Sequence, residues 1–181
     1  MPRLNAVDPA QASGDVREIF DGPLKGKHFN IFRHMGNSPA ALNAYLGIAG
    51  ALSKATLSAK EQEVVHLAVG QENGCDYCLA AHTAIGKGAG VSGDELAKNL
   101  KGEASDAKTQ AALDFARAVV AKRGFVEDSD FASVREAGFN DGEILEIITV
   151  VVANILTNYL NHAIETEIDF PKVELDQTVG V

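Results

Sequence analysis

The sequence predicts an all-α fold, and three observations carry that reading. Helix-start signatures recur along the chain: Ser38-Pro39, Ser58 with Glu61, Ser92 with Glu95 and Asn140 with Glu143. Between them the apolar residues return every three or four positions. The one stretch of strand character, Ile147 to Val152, has no second strand pattern to pair with.

Taken in order, residues 1–37 read as an irregular arm with one short helix near Gly14–Phe20, punctuated by Pro9, Pro23 and several glycines. Its apolar residues, Ile19, Phe20, Leu24, Phe29, Ile31 and Phe32, imply that it packs on the core or on a neighbouring subunit. Ser38-Pro39 opens a helix through Leu42, Tyr45, Leu46, Ala49 and Leu52. The Ser58/Glu61 capping box opens the next, through Val64, Val65, Leu67 and Val69, which Asn73-Gly74 ends. A third helix starts near Cys75 and runs to Gly86–Gly88. Ser92 marks a short fourth helix, and Ser105 begins a fifth that Gly124 closes. Asp128 to Ala137 is a sixth, and Asn140 caps a long last helix to about Thr166. The expected organisation is an arm over 1–37, one helical domain over 38–170 and a tail over 171–181.

Composition narrows the function. The 181 residues carry 16 basic and 25 acidic side chains, a net charge of −9. That balance disfavours nucleic acid and anionic membrane surfaces, both of which select clustered Lys and Arg. With no Trp and 6% aromatics, the core is built from Ala, Val, Leu and Ile. The first residues contain no apolar signal region, and the apolar run near Ile144–Leu156 is broken by Glu146, Thr149 and Asn154 and reads as too short to cross a bilayer. The expectation is a cytoplasmic protein. In a reducing compartment its two cysteines, Cys75 and Cys78, point to redox chemistry or metal binding rather than a permanent disulfide.

The chemistry concentrates in EQEVVHLAVGQENGCDYCLAAHTAIGKGAG, residues 61–90. At roughly 100° per residue, Cys75, Cys78 and His82 fall at about 0°, 300° and 340°, one narrow stripe of a helix. A helix start at Cys75 stabilises a thiolate there, and His82, one turn beyond Cys78, is placed to take the Cys78 proton. If the two helices form an antiparallel hairpin about Asn73-Gly74, Glu63 falls within one turn of His82 and can orient its imidazole. A metal site drawn from Cys75, Cys78, His82 and one of Glu63 or His66 is a competing use of the same residues. His66 is otherwise a structural histidine. Asn154, Asn158, Asn161 and His162 form a polar stripe on the last helix that lines a cavity, seals a subunit contact or faces outward.

Glu63, Cys75-Asp76-Tyr77-Cys78 and His82, with the flanking VVHLAV and VVVANILTNYLN, resemble the signature of the alkylhydroperoxidase D-like family within the carboxymuconolactone decarboxylase superfamily, and its peroxidase-related members in particular. The resemblance spans roughly residues 38–170. It implies a helical subunit assembled as a trimer or hexamer, and thiol-dependent reduction of hydroperoxides in an antioxidant role. It implies Cys78 as the attacking thiol, Cys75 as the resolving thiol and His82 with Glu63 as a proton relay. No bound cofactor is implied; a lipoyl or thioredoxin-like dithiol supplies the electrons. One position departs from the family pattern: Tyr77 stands where the best-known members carry His. Tyr77, His66, Asn154, Asn158 and His162 are the candidate cavity-lining residues. Two other functions use the same features: a redox sensor or disulfide adaptor without turnover, and a lactone decarboxylase or isomerase, which needs no cysteine pair.

Overall fold

A computed structural model describes residues 1–173. They form nine α-helices and, among the described residues, no strand: α1 (Gly14–Asp21), α2 (Asn30–Met35), α3 (Pro39–Leu52), α4 (Ala59–Glu72), α5 (Asp76–Gly88), α6 (Gly93–Asn99), α7 (Ala107–Ala121), α8 (Asp128–Glu136) and α9 (Asp141–Ile164). The strand-like stretch lies inside α9, where burial on α4 and α7 overrides its β propensity.

The caps close as hydrogen bonds. Ser58 Oγ accepts from the Glu61 N–H at 3.3 Å while Glu61 Oε2 accepts from the Ser58 N–H at 2.8 Å. Asn140 and Glu143 make the same reciprocal pair, at 3.1 and 2.9 Å. Such caps satisfy donors that the first helical turn leaves without partners, at about 1 kcal/mol each.

Three expectations are corrected. Residues Asn30–Met35, read as irregular, form α2; its start carries no side-chain cap, so no signature announced it. The cap of α7 is Asp106, whose Oδ1 accepts from Thr109 N–H at 3.0 Å; Ser105 instead binds the Glu95 carboxylate. The last helix stops at Ile164 because Glu165 turns left-handed at φ 59°. At 24 residues α9 is also long and apolar enough to cross a membrane, which the shorter run read from the sequence was not. In this fold its inward face, Ile147, Val150 and Val151, is buried in the protein core, as a core helix requires.

Helix α4 is the centre of the fold, packed on α5, α7 and α9. Its Val65, Leu67, Ala68 and Val69 are fully excluded from solvent. Gly74, at φ +63°, reverses the chain into α5, a conformation that a Cβ disfavours. A Cβ at Gly86 would stand 3.1 Å from Leu96 and 3.5 Å from Glu63, so glycine there lets α5 close on α4 beside Glu63.

The arm packs on the cysteine end of the molecule. Phe20, Leu24, Ile31 and Met35 bury in one cluster with Cys75, Tyr77 and Cys78. Arg3 ties the start of the chain to the end of α9, through its N–H to Ile164 O at 2.7 Å and its guanidinium to Glu165 at 2.5 Å. Of the tail expected over 171–181, residues 174–181 lie outside the described residues.

Candidate active site

The site is built on the α4–α5 hairpin. Cys75 is the N-cap of α5: its N–H donates to Gly70 O at 2.8 Å, and its sulfur accepts from the Cys78 N–H at 3.4 Å. The first turn of the helix then brings the two Cα atoms to 5.3 Å, and the sulfurs are joined as a disulfide. Both cysteines are buried, at 1% and 2% exposure.

Across the hairpin, Glu63 Oε2 lies 2.8 Å from His82 Nδ1, with both side chains largely shielded. The contact fixes which imidazole nitrogen meets the carboxylate and leaves Nε2 for other chemistry. His66, one turn along α4 from Glu63, stacks on His82 with ring centroids 4.1 Å apart and planes within 11°. Burial pushes the His66 pKa well below its ordinary range, and the His82 ring adds to the effect, so His66 is neutral. Burial likewise raises the Tyr45 pKa, with the Glu63 charge as the smaller cause.

His82, His66, Tyr45 and Cys78 border a cavity of about 580 Å³. Cys78, His82 and His66 form its polar wall, together with Thr157 and Asn161 from α9. Phe29, Phe32, Tyr45, Ile85 and Phe170 supply an apolar and aromatic wall drawn from the arm, α3, α5 and the C-terminal segment. Cys75 does not border the cavity. Such a space suits a small organic molecule held mainly by apolar contact.

The structure therefore places Cys75, Cys78, His82 and Glu63 along one hairpin, with the cysteines at the start of α5 and the Glu63–His82 pair further from the turn, and adds His66 stacked on His82. Of the candidate lining residues, Tyr77 and His66 border the cavity. Asn154 and Asn158 lie behind it: Asn154 Nδ2 donates to His66 O at 2.7 Å, and Asn158 Oδ1 accepts from Asn73 Nδ2 at 2.8 Å, so both join α9 to the hairpin. His162 is not a lining residue. It follows Asn161 by one position, about 100° around the helix, and is exposed.

Three groups escaped the sequence reading of the site. Asn161, recognised only as part of a stripe, donates from Nδ2 to Cys78 Sγ at 3.4 Å. Asp169 accepts from the Tyr77 hydroxyl at 2.9 Å and from Asn30 N–H at 2.7 Å. Phe170 packs edge-on against Tyr77 and closes on Phe29. The Tyr77 hydroxyl also accepts from Ile31 N–H at 3.3 Å, so Tyr77 pins the arm and the C-terminal segment over the cysteines. Burial raises its pKa far above the ordinary value, and it is a neutral clamp rather than a proton carrier.

Compared with known proteins, residues 37–122 match the carboxymuconolactone decarboxylase family. Among solved structures, the chain is similar to an alkylhydroperoxidase AhpD core, an uncharacterized peroxidase-related protein from Ralstonia eutropha JMP134, with TM-score 0.83 and 24% identity over 93% of this chain and 92% of that one. A peroxidase-related protein from Silicibacter sp. TM1040 gives TM-score 0.77 and 24% identity over 92% and 94%. The debrominase Bmp8, solved with 2,3,4-tribromopyrrole, gives TM-score 0.79 and 16% identity over 93% and 92%. At these identities the likeness establishes the fold. No curated protein matches the sequence significantly.

Proposed function

We propose that this chain, which carries a carboxymuconolactone decarboxylase family domain across residues 37–122, is a thiol peroxidase acting on organic hydroperoxides. The observation that supports this most is the placing of Cys78, rather than Cys75, on the cavity wall shared with His82, whose other nitrogen is held by Glu63 at 2.8 Å.

In the reduced protein His82 takes the Cys78 proton, and Glu63 stabilises the imidazolium that forms. The Asn161 N–H against the sulfur stabilises negative charge there. The thiolate attacks the distal peroxide oxygen. The O–O bond breaks, the alkoxide leaves with the His82 proton as the alcohol, and Cys78 becomes a sulfenic acid. The Cys75 thiol displaces hydroxide from that sulfur, giving water and the disulfide. An external dithiol, of lipoyl or thioredoxin type, reduces the pair again. An antioxidant role follows.

The aromatic wall favours one second reading, which the debrominase relative illustrates. A halogenated aromatic could replace the hydroperoxide, with two thiols giving one disulfide, an arene C–H and a hydrogen halide. Steady-state turnover with cumene hydroperoxide and dihydrolipoamide, against a brominated pyrrole in parallel, decides between them. Cys78→Ser is expected to abolish turnover, and Cys75→Ser to accumulate a trappable sulfenic acid at Cys78. Oxidation of the wild-type thiols once, without turnover on any dithiol, would instead leave a redox sensor.

A further inference from the structure

We infer that Glu63, His66 and His82 form a binding site for one divalent transition-metal ion, zinc by preference, open on its remaining side to the cavity. One ligand atom from each residue lies within 4.8 Å of the other two. Two imidazoles and one carboxylate form a donor set that suits zinc, with bonds of about 2.0–2.2 Å, and leaves an outer position for a small ligand. Harder cations prefer all-oxygen cages, which this site lacks.

Two features give the cluster more weight than proximity. His66 Nδ1 is buried without any hydrogen-bond partner, a state that usually has a cost and so calls for an explanation. The three residues also sit on paired rigid helices. Glu63 and His66 share one face of α4 at i and i+3, and His82 meets them from α5 across the hairpin. The backbone is thus already arranged, and only side chains need move. Around a tetrahedral ion, ligand atoms stand about 3.4 Å apart, so the 2.8 Å Glu63–His82 contact opens slightly and the His66 contacts close. The ion takes the place of the proton between Glu63 and His82. The cysteines are not ligands here: their sulfurs are joined to each other as a disulfide.

The site does not depend on the peroxidase reading, and its test uses no peroxide. Zinc chloride is titrated calorimetrically into the disulfide form and into the Cys75→Ser/Cys78→Ser double variant. Both are expected to take one zinc per chain. His66→Phe keeps a ring stacked on His82 but removes a ligand, and is expected to weaken binding by at least about tenfold, the scale seen when metal sites lose supporting groups. A helical circular dichroism spectrum with an unchanged melting profile confirms that this variant folds. Should it not fold, wild-type protein loaded with cobalt(II) serves instead: visible d–d bands without a thiolate charge-transfer band, and shifted His66 and His82 ring resonances, are expected. Absence of binding to the disulfide form overturns the inference. So does unchanged affinity in folded His66→Phe, or a cobalt spectrum dominated by thiolate.

Discussion

Replacing Glu63 by Gln separates charge from shape at the centre of the proposed relay. The side chain keeps its length and a carbonyl oxygen that can still accept from His82 Nδ1, so the ring orientation survives. What is lost is the negative charge facing the imidazolium that forms when Cys78 ionises. The pair is 2.8 Å apart, and the two side chains are only 15% and 11% exposed, so solvent screens it weakly. A hydrogen bond to a charged partner contributes about 1.5–3 kcal/mol. At about 1.4 kcal/mol per tenfold, that predicts a loss of about 10- to 150-fold in the rate of thiol oxidation. The assay is single-turnover stopped flow of the pre-reduced protein with cumene hydroperoxide, following loss of free thiol, so that the reductant does not limit the rate. Melting temperature is measured in parallel. A rate within twofold of wild type in a folded variant would refute the relay. A slow rate with a lowered melting temperature would show that Glu63 acts through the hairpin's structure instead.

Three further outcomes are expected. Tyr77→Phe removes the hydroxyl that accepts from Ile31 N–H and donates to Asp169; leaving such groups unpaired costs about 1–3 kcal/mol, a fall of about 2–12 °C in melting temperature for a chain of this size, with proteolysis rising first at the arm and the residues near Asp169. His34 is buried, and burial, with Arg33 adding and Glu167 opposing, lowers its pKa below 6.5. The unfolded chain therefore binds the extra proton below about pH 6.5, stability rises with pH up to that point and falls beneath it, and His34→Gln flattens this acid limb in urea unfolding measured on both sides of it. Leu145, Val152 and Tyr159 form an exposed apolar line along α9, at 64%, 54% and 59% exposure; if copies of the chain associate through it, light scattering gives an oligomeric mass that Val152→Glu reduces to one chain, whereas a wild-type monomer at micromolar concentration removes that expectation.

Much of this molecule is local, and local features are legible in the sequence. Cap signatures and the 3.6-residue period depend on neighbours within one turn, which is why α3, α4, α6 and α9 stand close to where the spacing puts them. The reactive stripe is local too. Cys78 and His82 lie on successive turns of α5 with Cys75 as its N-cap, and Glu63 reaches His82 because Asn73-Gly74 reverses a short hairpin, so counting residues from the turn suffices. Short α2, without a side-chain cap, gave no such signal, and the helix start read at Ser105 falls one residue later, at Asp106, because Ser105 is bound to Glu95 instead. The surroundings of the cysteines were decided by tertiary structure alone. Asn161 meets Cys78 across 83 residues, and Tyr77 meets Asp169 across 92. The cavity needs the arm, α3, α9 and the C-terminal segment at once. Those meetings depend on the angle and depth at which α9 packs on α4, which is set by the fit of many buried side chains and has no period, cap or spacing in the sequence to announce it.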